Sequence, residues 1–470
     1  MGWNSAFNNA EEITPTLDAM VASSLRLGSF YVYKYCSPTR GSFLSGRYPF
    51  KLCATRNNLN PATIPEGIHL GYTYISEKLK AANPPYLSYQ VGKWHQGLFA
   101  ADYTPVGRGF NASFGFLSGG EDHYSQHNFW GCPNAPATDL YQGEQPAIGK
   151  NGSYNGFAFT DAAIRFVTEH VDKHPANPFF LYFALHNTHA PVEAPADTVA
   201  LYNFSQSLRN EFNAMTSIVD ESVKNVTNAL KELGIWENTL FIWTNDNGSP
   251  VSVAGSNYPF RGSKGNNFEG GVHVPALLSG GVLPEAMRGR VLDGVVHIAD
   301  FYSTFCHLAG GIDPTDTNPD APSPIDSLNM WPYLSGAVQE SPRNLTVFDH
   351  LMFSGVAQGA IRSGRYKLVM MNESEAGWYG QFSPNETWNK AMADIYACSV
   401  DAPCLFDIVS DPTEHVDLAK VLPNVTSEMI DLFHSLDDEY HPPKQAPPDD
   451  KDGYCEALYS ADGFVVPWRK

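Results

Sequence analysis

The chain is 470 residues long, enough to bury a large core, and 43% hydrophobic with 17% charged residues reads as globular. A formal charge of −20 argues against a general nucleic-acid binder and requires any anion site to be a local basic pocket. No run of about 18 apolar residues appears, so the sequence shows no membrane span.

Taken in order, residues 16–27 predict a helix, with Leu17, Met20, Val21 and Leu25 on one face. Residues 30–33 read as a strand that delivers Cys36 to its end. Pro38 fixes one backbone torsion, and Thr39 with Gly41-Ser42 predicts the opening turn of a short helix. A nucleophile at a helix N-terminus, with Arg40 four residues on, sits in a field that favours anions.

Residues 72–81 predict a helix and 86–91 a strand ending in Gly92-Lys93-Trp94-His95. The aromatic, Gly-rich and Asn-rich region 110–148 reads as loop. Thr160 is placed to cap a helix running to about His174. The continuous apolar run 178–185 suits a strand covered on both faces, and it empties into His186-Asn-Thr-His189-Ala-Pro. A long helix with Leu208, Phe212, Met215, Val219, Val223, Val226 and Leu230 on one face ends near Gly234. Residues 239–243 form another buried strand, followed by Asp246-Asn247-Gly248.

This alternation predicts an α/β fold, a mostly parallel central sheet with helices on both faces. After a Pro- and Asp-rich loop at 313–326 the pattern changes to short antiparallel strands at 345–348 and 359–371 and a helix at 427–436. The expected division is 1–340 and a smaller C-terminal α+β domain, 341–470. Cys36, Lys93, His95, His189, Asp246 and Asn247 each lie just past the C-terminal end of a predicted strand, the edge where open α/β sheets bind ligands.

The cysteines are Cys36, Cys53, Cys132, Cys306, Cys398, Cys404 and Cys455. If Cys36 is consumed by oxidation, six remain, enough for three bridges, with Cys398–Cys404 closing the shortest loop. Asn111, Asn151, Asn203, Asn225, Asn344, Asn372, Asn385 and Asn424 begin glycosylation sequons, which points to the secretory route. Met1-Gly-Trp-Asn at the start of the sequence does not read as a signal peptide.

The stretch Cys36-Ser37-Pro38-Thr39-Arg40 through Leu44-Ser45-Gly46-Arg47 resembles the signature of the sulfatase family, with Ser45 in place of the usual Thr. Gly92-Lys93-Trp94-His95, His189-Ala-Pro, Asp246-Asn247-Gly248 and Arg261-Gly-Ser-Lys264 followed by Glu269-Gly-Gly recur in the family's order. Local wording resembles the arylsulfatase B group. The resemblance implies an alkaline-phosphatase-like fold and sulfate-ester hydrolysis. It implies that Cys36 is converted by a formylglycine-generating enzyme to formylglycine, whose hydrate attacks sulfur and releases the alcohol. Arg40, Lys93 and His95 would hold and deprotonate that hydrate, and His189 and Lys264 would bind sulfate and assist the leaving oxygen. Asp246, Asn247 and the modified Cys36 would ligate Ca²⁺, with Mg²⁺ the lesser candidate, and the substrate would be an aryl sulfate or a sulfated sugar. For the parent protein a secreted or lysosome-like location follows.

One departure stands out. Relatives carry an apolar strand ending in Asp-Asp-x-Gly-Trp whose aspartates bind the metal, and here Met1-Gly2-Trp3 begins where that strand would end. The expectation is an N-terminally incomplete copy of a secreted enzyme, with calcium poorly held and hydrolysis weak or absent. The rival readings are a phosphodiesterase or phosphonate hydrolase of the same superfamily, and a sulfated-glycan binder that no longer turns over.

Overall fold

Short apolar runs become the strands on which the site is built. The computed structural model describes residues 11–52, 59, 61–316, 318–379, 398–439 and 447–469. In chain order the strands are β1 (Leu25–Tyr31), β2 (Leu87–Lys93), β3 (Ala112–Phe116), β4 (Tyr141–Gln142), β5 (Gln145–Pro146), β6 (Phe179–Ala184), β7 (Phe241–Thr244), β8 (Ala276–Ser279) and β9 (Val291–His297). The sequence continues with β10 (Leu345–Phe353), β11 (Val356–Ser363), β12 (Tyr366–Met370) and β13 (Cys404–Asp407).

The first nine strands form two sheets, ordered β5-β4-β3-β2-β6 and β7-β8-β1-β9. β2 runs parallel to β3 and β6, and β1 parallel to β9; β8 runs antiparallel between β7 and β1. Among the described residues β6 pairs with β2 alone and β7 with β8 alone. Their outer edges leave Phe179, Leu181, Phe183 and Phe241 only partly buried.

Amphipathic helices cover the strands, as their periodicity predicts. The helix α1 (Pro15–Val21) leads into β1, and α2 (Cys36–Ser45) leaves it. The long helices α3 (Asn155–Lys173) and α4 (Ser207–Glu232) bury Phe159, Ala163, Val167, Val226 and Leu230 against Val91, Phe114 and Phe116. Gly234, at φ 70°, follows the last turn of α4. A further helix, α5 (Asp300–Leu308), packs Phe301 on Phe30 of β1.

The remaining four strands form the antiparallel sheet β10-β11-β12-β13 expected after residue 341. Helix α6 (Pro423–His434) seats Met429 and Phe433 on its Ile361 and Leu368. Helix α7 (Lys451–Ser460) returns to the first part of the chain, with Tyr454 and Leu458 in one cluster with Trp94 and Tyr74.

Several expectations change. The helix over 16–27 stops at Val21, because Leu25 and Arg26 pair with Leu278 and Leu277. Long-range ladder bonds there override a locally helical spacing. The region 110–148 is not all loop: β3 lies within it, beside β2. Thr160 does not cap α3, which begins at Asn155; its hydroxyl lies 2.7 Å from the Gly156 carbonyl oxygen, to which it donates, and 2.8 Å from Ser222 Oγ. Cys398–Cys404 is bridged as expected, and Cys132–Cys455 closes a second bridge across 323 residues. Cys306 is buried and free, so it forms no third bridge; Cys53 and the Asn385 sequon lie outside the described residues, as does Met1-Gly2-Trp3.

One ion network joins the two parts. Glu269 accepts from Lys367 Nζ at 2.8 Å and from the Tyr31 hydroxyl at 2.8 Å, with His273 Nδ1 2.9 Å away. Lys367 also pairs with Glu414 at 2.9 Å, and Arg362 donates to the Tyr31 oxygen. Lys367, Glu269 and Glu414 are fully buried.

Candidate active site

The Cys36 end of the site is set by local bonds. Tyr35, extended at φ −135° and ψ 154°, precedes α2, so Cys36 is its first residue. Pro38 falls at the third helical position, where the missing N–H would have had no partner within the helix anyway. The Thr39 hydroxyl accepts from the Tyr33 N–H at 3.0 Å and donates to the Tyr35 carbonyl at 3.0 Å, folding strand into helix. Cys36 thus sits at a positive helix end, and it is 2% exposed.

Three other strand ends meet it. At the end of β2, Gly92 has φ 89°, and a Cβ there would lie 2.1 Å from the Ala184 carbonyl oxygen of β6. Only glycine permits that approach. Lys93 and His95 follow and are buried; His95 has φ 57°, a strained conformation for a non-glycine residue. From β6 come His186 and His189, and from β7 Asp246 and Asn247. Lys264 arrives on the loop before Glu269.

The sulfur of Cys36 lies 3.2 Å from Asn247 Oδ1 and 3.3 Å from Lys264 Nζ. Both His95 and His189 lie close enough to favour its thiolate. Arg40 places its hydrogen bonds on the frame of the site, while its charge and that of Cys36 support each other. Its Nε and Nη2 donate to Asp246 Oδ2 at 3.0 and 2.7 Å, and its Nη1 donates to the Lys93 carbonyl and the Tyr182 hydroxyl. It ties the ends of β2, β6 and β7 together. His189, Asp246, Asn247 and Lys264 are partly exposed and form the mouth, whereas Cys36, Lys93 and His95 form the floor.

Burial and charge act against each other here. Burial alone would push the Cys36 thiol up, but Lys264 and Lys93, with hydrogen bonding from His189 and His95, hold it well below its usual value. Burial pulls Lys93 down to about 8, opposed by the sulfur. Burial likewise lowers His95 and His189 to about 4, so both are neutral at physiological pH. Lys264, although its own burial works against charge, is raised by the facing thiolate and by Asp246.

Sequence reasoning missed the supports. Gln96 donates to the Ser37 and His95 carbonyls and accepts from the Tyr74 hydroxyl, fixing the start of α2 to the end of β2. His123 bonds the His189 carbonyl through Nε2 and Asn155 through Nδ1, and its ring stacks on His186 at 4.3 Å. In the sequence His123 stands in Glu121-Asp-His-Tyr, inside the region read as loop, where no strand end marks it. Nothing in the spacing pointed to Gln96.

The donors available to a cation are few. Calcium takes six to eight oxygens. Asp246 brings one charge, already matched by Arg40, and Asn247 one amide oxygen. Among the described residues no cluster of three or more His, Cys, Asp or Glu could hold a metal ion. This donor set does not fill a calcium shell.

The family model described as Sulfatase matches residues 2–312. Mouse arylsulfatase J is 29% identical over 467 residues, covering 94% of this chain and 75% of that protein. Human N-acetylgalactosamine-6-sulfatase is 31% identical over 442 residues, covering 89% and 80%. Among solved structures, Ps i-CgsB in complex with k-i-k-neocarrahexaose superposes with a TM-score of 0.76 at 24% identity, covering 98% of this chain and 97% of that one. Its likeness is one of fold.

Proposed function

The chain belongs to the sulfatase family, and on that premise we propose that it hydrolyses the sulfate esters of sugars with Cys36 as the source of its nucleophile. Sulfuric ester hydrolysis is the family's reaction, and sulfatases generally use formylglycine and Ca²⁺. The observation that carries the reading is the convergence of Lys264 Nζ and Asn247 Oδ1 on Cys36 Sγ, with Lys93, His95 and His189 around them.

The Cys36 sulfur marks where the nucleophilic oxygen of a matured residue would stand. Formylglycine made from Cys36 supplies, as its hydrate, a hydroxyl in that place. Neutral His95, with neither ring nitrogen in a hydrogen bond of good geometry, is free to take that hydroxyl's proton. Lys93 from the floor and Lys264 from the mouth balance the charge of the sulfuryl oxygens. His189 holds Nδ1 against the Ala190 carbonyl at 2.7 Å, so that nitrogen carries its proton and Nε2 is left for the site. An anionic ester raises His189 toward the protonated form, from which Nε2 gives a proton to the leaving oxygen. Arg40 orients the strand ends through Asp246. The steps that follow from the geometry belong to these side chains, and none is assigned to a cation.

The names of the relatives support a sulfated sugar as substrate: one is an N-acetylgalactosamine-6-sulfatase, and one sulfatase-fold structure holds a neocarrahexaose. Two disulfides and the sequons support a secretory route, where the Cys36 motif would meet a formylglycine-generating enzyme. No helix among the described residues is long and apolar enough to cross a membrane.

The test is sulfate release from a chromogenic aryl sulfate and from sulfated monosaccharides, with aryl phosphate and phosphonate esters alongside. The expected result is turnover of sulfate esters that is lost in Cys36→Ala. Preference for a phosphate or phosphonate ester would make the enzyme a phosphohydrolase. Tight binding of a sulfated sugar with no release of sulfate would make it a glycan binder.

A further inference from the structure

Lys264 stands on a loop built to move unless something holds it: Gly262 and Gly265, on either side, have φ of 88° and 99°. What holds it comes from the antiparallel sheet. Just beyond β12, residues 373–377 lie along the loop. The Gly262 N–H donates to the Gly377 carbonyl at 2.9 Å, Arg261 Nε to the Ala376 carbonyl at 2.7 Å, and Asn266 Nδ2 to the Glu375 carbonyl at 3.0 Å.

Within this seam Glu373 reaches furthest. Its Oε2 accepts from the Asn267 N–H and its Oε1 from Asn267 Nδ2, each at 2.5 Å. Oε1 also pairs with Lys34 Nζ at 3.2 Å. Asn267 is three residues beyond Lys264, and Lys34 is two residues before Cys36. One carboxylate, 2% exposed, therefore grips both segments that carry the reacting groups. The Gly265 N–H, donating to the Lys34 carbonyl at 3.0 Å, is the direct link between the same two segments.

We propose that Glu373 is a positioning residue, which sets the span between Lys264 and the nucleophile at Cys36 by clamping Asn267 to Lys34. This rests on the reading of Lys264 as a sulfate-binding cation. A carboxylate is suited to the task because it accepts from an amide N–H, an amide side chain and an ammonium at once. Lys34 keeps a second partner, Asp349, at 2.7 Å. Neutralising Glu373 therefore leaves a balanced ion pair in the interior, and the fold survives the test.

The experiment compares Glu373→Gln, Asn267→Ala and Lys264→Ala, and each of the first two combined with Lys264→Ala. Two quantities are read: kcat/KM of the mature enzyme on an aryl sulfate, and the dissociation constant for inorganic sulfate by calorimetry. Glu373→Gln and Asn267→Ala should each lower kcat/KM about 10-fold, short of the ~10²-fold that a 1 Å misplacement costs. Each should weaken sulfate binding in the same direction, with melting temperature little changed. In the Lys264→Ala background neither should cost anything further, because the group they position is gone. Full multiplication of the two losses, or unchanged sulfate affinity in Glu373→Gln, overturns the positioning role. If Lys264→Ala itself leaves both quantities unchanged, it is the reading of Lys264 that fails.

Discussion

The ammonium of Lys264 and the sulfur of Cys36 lie 3.3 Å apart, although 228 residues of chain separate them. One enters on the first turn of a helix, the other on a glycine-flanked loop, and neither position has meaning without the other.

From that pairing, Lys264→Ala should lower turnover of an aryl sulfate by about 100-fold, as removal of one electrostatic stabiliser commonly does. Lys93→Ala should cost a similar factor. Since both serve one anion, the double variant should lose less than the product of the two. Near-normal activity in either variant would assign that lysine a purely structural place.

Cys36 should be oxidised to formylglycine when the protein is made alongside the maturation machinery. Its peptide should then be lighter than the thiol form by about 18 Da, a change placed by the oxidation chemistry of cysteine. A peptide that remains wholly thiol in such a host would refute the assignment.

In His189→Ala, which lacks the acid whose own free value is also about 4, the pH profile of kcat/KM should be bell-shaped. Neutral His95 is needed to accept a proton, and burial sets it at about 4, so the rate should rise with pH through that region. Charged Lys93 is needed to hold the sulfate, and burial sets it at about 8, so the rate should fall as pH rises through that region. Replacing the sulfur removes the anion that supports the Lys93 charge, which places the falling limb at or below about 8. Lys93→Arg should move that limb upward, because a guanidinium stays charged throughout. An unmoved limb would belong to another group.

Calcium should bind this chain weakly. One carboxylate already paired with Arg40 and one amide oxygen give a site no better than about 10⁻⁴ M, the range of the weakest calcium modules. Titration calorimetry would check it. Micromolar affinity would show that the donors at Asp246 and Asn247 have been undercounted.

Much of the site was legible in the sequence, because Cys36, Lys93, His95, His189, Asp246 and Asn247 each belong to a local motif that closes a strand. The strands themselves were legible where an apolar run was long, as in β6. The strand β8 was not: with only four residues, it is defined by its neighbours β1 and β7 more than by its own composition. The pairing of Arg40 was hidden for a related reason, since its partner Asp246 is 206 residues away. Gln96, Asn267 and Glu373 carry no pattern at all. Their roles exist only as bonds between distant segments.

The buried cluster of Glu269, Lys367 and Glu414 has a consequence for how the molecule comes apart. Replacing Lys367 by Ala would leave the Glu269 and Glu414 carboxylates in a dry interior without the cation they share. Breaking one partner from such a buried pair costs about 3–5 kcal/mol, a large fraction of the stability of an ordinary domain. The strand that feeds Cys36 and the sheet that carries Lys367 are therefore one cooperative unit. On heating they should melt in a single transition, with the hydrolytic edge lost at the same temperature as the C-terminal strands.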